Sequence, residues 1–240
     1  MMEHKEPILE QIASLKPNSI LDVGCGCGSF AVKLSPYCGR ITAIDLSPAL
    51  IKRCKKEHQQ PNISYLCMDA RDLKYPDNSF DSVLEKATLH HIFEWEKVLD
   101  EMIRVSSKYL LIEEQVNDPR NQKKMDTLQA QRFFLKLQNE VGHSHYEYLN
   151  QKALLGYFDK RNIPIEFDVI RSDDILDFDE YFVSFPTFLE KSKRKDYWLE
   201  QFRLLKDEFK DKKLCESDSI FIFADKIKPL QRNLNEQAGI

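Results

Sequence analysis

From residue 19 onward the chain alternates short apolar runs with amphipathic stretches. SILDVG (19–24), RITAID (40–45), NISYLCMD (62–69), FDSVLEKA (80–87) and KYLLIEEQ (108–115) each have the length and apolar, β-branched content of a buried strand. Between them, GSFAVKLSPY (28–37), ALIKRCKKEHQQ and EWEKVLDEMIRVS (94–106) read as helices, the last with an apolar face at Val98, Met102 and Val105. Ser47 offers the second of these an N-cap, with Pro48 at its first position. Strands alternating with helices predict right-handed crossovers and a mainly parallel, doubly wound α/β sheet.

After residue 116 the rhythm changes. Residues 117–141 and 146–162 read as helices, IPIEFDVIRS (163–172) as a sixth strand and SDSIFIFADKI (217–227) as a seventh, before a polar tail. The stretch 177–209 reads as helical and is crowded with aromatic residues: Phe178, Tyr181, Phe182, Phe185, Phe188, Tyr197, Trp198, Phe202 and Phe209. The pattern predicts one core, formed by 1–116, 163–172 and 215–240, with cap segments at 117–162 and 173–214. Aromatic residues spaced three to four apart form a stripe that mainly packs the cap down, with a minority around Phe182 to Phe188 expected to line an acceptor pocket.

Composition narrows the class. The chain has 240 residues, a net charge of −4 and 42% hydrophobic content, which suits a soluble globular protein and weighs against bulk-charge binding of nucleic acid. No run is long enough for a membrane span, and MMEHKEPILE lacks an apolar signal core, so a cytoplasmic protein is expected. Six cysteines form no CxxC pair and read as free thiols.

The candidate chemistry begins at LDVGCGCG (21–28). Glycine is scarce, 7 in the chain, yet three lie at alternate positions here, where a strand turns into a helix. Such a turn presents backbone N–H groups at the carboxyl edge of a sheet, where α/β folds bind ligands. Position 29 is Ser rather than the glycine of the dinucleotide fingerprint, and Asp22 would repel a pyrophosphate, so a ligand with a cationic head fits better. Asp45 ends the second strand and can accept both hydroxyls of a ribose. Asp69 and Ala70 end the third strand, and FDSVLEKATLHHI (80–92) runs into two adjacent histidines at the same edge.

Taken in register, LDVGCGCG, AIDLSPALIKRCKK, MDARDLKYPDNSFD and VLEKATLHHI resemble the class I S-adenosylmethionine-dependent methyltransferases. Within that class they look like the small-molecule branch that includes the quinone-biosynthesis C-methyltransferases. The resemblance covers residues 18 to 115 and implies a Rossmann-like, seven-stranded sheet with an antiparallel last strand. It also implies S-adenosylmethionine as cofactor and a small, partly apolar acceptor. In that reading Asp22 and the loop of Gly24, Cys25, Gly26 and Gly28 hold the methionine end. Asp45, with Leu46 beside it, binds the ribose; Asp69 and Ala70 border the adenine; and Lys86 lies near the methionine portion.

Methyl transfer from a sulfonium needs alignment, exclusion of water and, for some acceptors, a base. His90 and His91 are the candidate bases, with Glu113 or Glu114 as second choices. An extended backbone would point the two histidines to opposite sides, leaving one to face the acceptor. His143 and His145 have alternate spacing but no evident third ligand, so no metal is expected. A metalloid acceptor would require Cys67 and Cys215 to meet. Methylation of a protein or RNA and a non-catalytic cofactor-binding regulator are the alternatives. The basic run 191–195 reads as a solvated helix face.

Overall fold

The computed structural model describes residues 6–117, 122–143, 145–172 and 174–227. The first half runs α1 (Pro7–Leu15), β1 (Ser19–Val23), α2 (Ser29–Leu34), β2 (Arg40–Asp45), α3 (Pro48–Glu57), β3 (Ile63–Cys67), β4 (Phe80–Lys86), α4 (Trp95–Val105) and β5 (Ser106–Asn117). It continues with α5 (Gln122–Glu140), β6 (Leu149–Asn150), α6 (Gln151–Lys160), β7 (Glu166–Ile170) and β8 (Ile175–Leu176). The last elements are α7 (Phe178–Tyr181), α8 (Phe185–Leu189), α9 (Lys195–Glu208), β9 (Leu214–Cys215) and β10 (Asp218–Asp225).

The main sheet has the order β3-β2-β1-β4-β5-β10-β7, with the short β6 added beside the end of β5. β1 to β5 pair in parallel, whereas β10 runs antiparallel to both β5 and β7. This is the expected doubly wound α/β sheet with an antiparallel last strand. The chain winds outward from β1 through β2 to β3 and then returns to β4 on the other side of β1. That reversal opens a crevice at the carboxyl ends of β1 and β4, the switch point where such sheets bind ligands.

Alternation along β1 divides its side chains between the two faces. Leu21 and Val23 pack with Val98, Leu99 and Met102 of α4, while Ile20 packs with Ile8 and Ile12 of α1. The sequence pattern predicted no element at 7–15; α1 is short, and its buried positions are the i, i+4 pair Ile8 and Ile12. The predicted cap on α3 is present, Ser47 Oγ accepting from Leu50 N at 3.3 Å with Pro48 following. The helix expected over 146–162 begins only at Gln151, because Leu149 and Asn150 pair instead with the end of β5.

The aromatic segment breaks into three helices and forms an apolar cluster of its own. Phe182, Phe185, Trp198 and Phe209 are buried there against Ala130 and Leu137 of α5. Phe185 and Phe202 stack with ring centroids 4.0 Å apart. Lys124, near the start of α5, reaches the buried Asp218 carboxylate at 2.7 Å and the carbonyls of Ser172 and Glu216. α5 is thereby tied to the start of the last strand. Cys67 lies at the end of edge strand β3, and Cys215 pairs in β9, its backbone N–H donating to Thr127 Oγ1. Four strands separate β3 from β10, which follows Cys215, so the fold gives no support to a paired thiolate site. Among the described residues no helix is long and apolar enough to cross a membrane.

Candidate active site

The glycine loop follows β1 directly. Gly24 has φ +73°, and its N–H donates to Ile44 O at 2.8 Å, binding the loop to β2. A Cβ at this position would lie 2.2 Å from Thr88 Cγ2. Thr88 Oγ1 in turn donates toward Val23 O and Gly24 O at 3.3 Å, so the β1 and β4 loops are stitched side by side. The close neighbour that excludes a side chain at Gly24 is therefore protein, not ligand. Gly28 similarly abuts Cys54 and Tyr65. Gly26 differs: at φ +53° it has nothing within 4 Å of its would-be Cβ, and it opens on a cavity.

That cavity, of about 640 Å³, lies at the crevice. Gly24, Gly26, Asp45, Leu46, Asp69, Ala70 and His91 all border it, together with Thr88, Met68, Arg71, Phe93, His143 and Tyr146, which the sequence motifs did not assign to the cofactor. Arg71 could have been noticed two residues beyond Asp69 in MDARDL. Tyr146 carried no such signal, since only the fold brings its loop here. Cys25, Gly28, Asp22, Lys86 and His90 are not part of the lining.

Each acid has a distinct setting. Asp45 accepts from Gly26 N at 3.0 Å and Ser47 N at 2.8 Å, so it shapes the loop as well as facing the cavity. Asp69 is bound by the Arg71 guanidinium, which holds its carboxyl below the usual range. Asp22 is buried, and its Oδ2 has no hydrogen-bond partner. Burial, and then the charge of Asp45, pushes the Asp22 carboxyl up to about 7. Lys86 pairs with Glu113 and lies 5.3 Å from the centre of the Phe30 ring, so it has protein partners. The Cys25 thiol is raised by burial and by Asp22 and is a poor nucleophile.

Leu89–His91 form a 3-10 turn, so the condition under which His90 and His91 would point to opposite sides, an extended backbone, is not met. Their ring centroids are 4.3 Å apart. His90 is buried, with Nδ1 2.6 Å from Glu114 Oε1, and Glu114 is itself fully buried. The neighbouring Glu85 is raised well above the carboxylate range by burial and by Glu114, and it accepts from Thr88 N at 3.0 Å. His91 reaches the cavity wall. The loop after α5 closes over this turn, Tyr146 N donating to His90 O at 2.9 Å, and delivers the His145 ring centroid to 4.6 Å from that of His91.

A second cavity of about 340 Å³ is bordered by His145 together with Phe134, Gln138, Tyr148, Leu176, Glu180 and Tyr181 among others. Its wall is formed in part by the aromatic segment, though through Tyr181 rather than Phe182 to Phe188. Phe182 and Phe185 are spent in the cap's own core, and Phe188 packs on His143 and Phe134.

Residues 21–109 match the model of a methyltransferase domain family. A probable phthiotriol/phenolphthiotriol dimycocerosates methyltransferase of Mycobacterium ulcerans is 38% identical over 95 residues, covering 39% of this chain and 37% of that one. The chain spans less than half the length of the curated relatives it matches first. A candidate methyltransferase of Bacillus halodurans superposes with a TM-score of 0.64 at 20% identity, over 91% of this chain and 97% of the other. The N-methyltransferase NodS of Bradyrhizobium japonicum, solved with S-adenosylhomocysteine, superposes with a TM-score of 0.51 at 14% identity, over 92% and 85%. Residues 21–109 thus resemble a methyltransferase domain, and the chain has the Rossmann-like fold of the solved methyltransferase structures on which it superposes.

Proposed function

We propose that the chain transfers a methyl group from S-adenosylmethionine to a small acceptor bearing both apolar and polar groups. The observation that carries this reading is the cavity at the switch point, bordered by Gly26, Asp45 and Asp69, beside the unpartnered Asp22 Oδ2. A buried carboxylate oxygen without a donor costs free energy unless a ligand supplies one, and the cofactor's ammonium group is such a donor. Asp45 retains lone pairs for a ribose diol beyond those given to Gly26 and Ser47. Asp69 and Ala70 are suited to border the adenine. The M. ulcerans relative is described as acting on phthiotriol and phenolphthiotriol dimycocerosates, which supports a small-molecule acceptor, and NodS was solved with S-adenosylhomocysteine, which supports the cofactor.

The bound cofactor supplies a methyl group on a positively charged sulfur, which leaves as a neutral thioether when the acceptor's lone pair forms the new bond. The protein's part is to align the acceptor and exclude water. The second cavity, with Phe134, Leu176 and Tyr181 beside Gln138 and Glu180, suits an amphipathic acceptor. His91, on the first cavity's wall, is placed to meet the acceptor. His90, held by Glu114, orients the turn that carries it. The segments 117–162 and 173–214 act as the cap over this edge.

Titration calorimetry should show S-adenosylhomocysteine binding and no comparable binding of NAD; the reverse result would overturn the reading. Asp45→Ala should weaken S-adenosylhomocysteine binding tenfold or more, since charge-assisted hydrogen bonds are worth about 1.5–3 kcal/mol each. The same change should cost about 1 kcal/mol of stability, because Gly26 N and Ser47 N lose their acceptor. An unchanged dissociation constant would place the ribose elsewhere.

A further inference from the structure

We propose that His90, His91 and His145 form a binding site for a divalent transition-metal ion of the zinc class, lying between the two cavities. One nitrogen from each of the three lies within 4.8 Å of the others. Imidazole nitrogens bound to zinc at about 2.0–2.1 Å in a tetrahedron are about 3.4 Å apart, so side-chain rotations of about an ångström close the site. The sequence offered no third ligand for the 143–145 pair; the fold supplies two from the turn after β4.

Two further observations point to an ion rather than to simple packing. Metal-binding imidazoles are usually oriented by an acceptor on the other ring nitrogen, and both His90 and His145 have an acceptor beside Nδ1. Glu114 Oε1 lies 2.6 Å from His90 Nδ1, and Gln138 Oε1 lies 3.1 Å from His145 Nδ1. A proton on His145 Nδ1, donated to Gln138, leaves Nε2 as a lone-pair donor, and that atom is buried without any hydrogen-bond partner. His143, its ring centroid 6.0 Å from those of His91 and His145, is at the margin.

Three histidines leave a tetrahedral ion one open position. His91 borders the first cavity and His145 the second. Resting on the methyl-transfer reading, that position suits an oxygen, nitrogen or sulfur atom of the acceptor, brought by the ion toward the methyl donor. Imidazole ligation selects zinc, cobalt, nickel or copper over magnesium or calcium.

The test uses the full chain, stripped with a chelator and dialysed. Titration with Zn²⁺ against a chromophoric chelator should show about one equivalent bound, and Co²⁺ should give the intense visible bands of tetrahedral coordination. His145→Ala and His91→Ala should each weaken Zn²⁺ binding at least a hundredfold and abolish the Co²⁺ bands. Glu114→Gln should weaken it about 10- to 100-fold, as expected of an orienting partner. His143→Ala should change it less than tenfold. His145→Gln serves where the alanine variant is poorly folded, with thermal melting and S-adenosylhomocysteine binding measured on every sample. The absence of stoichiometric binding would overturn the site, leaving a packed cluster of neutral imidazoles. Binding that survives both His145 variants would overturn it equally, showing that His145 does not hold the ion. Metal binding without S-adenosylhomocysteine binding would leave the site standing and remove the methyl-transfer reading instead.

Discussion

Gly24→Ala should lower the unfolding free energy by about 2–5 kcal/mol. Two effects combine. An L-residue held at φ +73° costs about 1–2 kcal/mol relative to glycine. The new Cβ would also lie 2.2 Å from Thr88 Cγ2 and 2.4 Å from Oγ1, and overpacking of this kind costs about 1–3 kcal/mol. Thr88 cannot swing aside freely, because its N–H is held by Glu85 Oε2 and its hydroxyl by Val23 O. At 240 residues each kcal/mol corresponds to about 2–4 °C, so melting should fall by about 5–20 °C. Thr88→Ala introduced with it removes the two closest contacts and should restore part of the loss. Gly26→Ala meets nothing within 4 Å, so its cost should be limited to the backbone term. Thermal melts that place Gly24→Ala within 2 °C of the parent would mean that the two loops can part without cost.

This contrast also shows what the sequence could and could not reveal. The glycine cluster was legible as a ligand-binding turn, because three glycines directly after a buried strand leave backbone N–H groups open at the carboxyl edge of the sheet. Why each glycine is there was not legible, since Thr88 lies far along the chain and meets Gly24 only through the pairing of β1 with β4. Strands β1, β2, β4 and β5 were readable because the central strands of such a sheet are covered on both faces and keep short apolar centres between the amphipathic helices. The aromatic stripe of 177–209 announced burial but not direction. Its partners, Ala130, Phe133 and Leu137, lie on α5, whose own apolar pattern is weak beside its many polar residues. The histidines were the hardest to read. Two pairs were visible, but their meeting depends on a 3-10 turn that keeps His90 and His91 together and on the hydrogen bond from Tyr146 N to His90 O.

Asp22 should make cofactor affinity depend on pH in the range just below neutrality. Burial raises its folded carboxyl from 3.8 to about 7. Between those values the folded protein holds a proton that the unfolded chain has released, so this group's contribution to stability falls as pH rises through the window. The ligand-free protein therefore loses stability at this site on going from acid toward neutral pH. A cationic ammonium against Oδ2 reverses the preference, because it favours the ionised form. S-adenosylhomocysteine affinity should then rise toward tenfold per pH unit from pH 5 to near 7 and level off above it. Up to one proton should be released per cofactor bound below pH 7, which calorimetry in buffers of different ionisation enthalpy measures directly. Asp22→Asn should abolish both the slope and the proton release, and at pH 8 weaken binding about 10- to 100-fold through loss of a charge-assisted hydrogen bond worth about 1.5–3 kcal/mol. The variant also separates Asp22 from the nearby imidazoles, since any pH dependence that persists in Asp22→Asn belongs to them. An affinity that is flat from pH 5.5 to 8 in the parent protein would mean that Asp22 never meets the cofactor's charge and stays buried as the neutral acid.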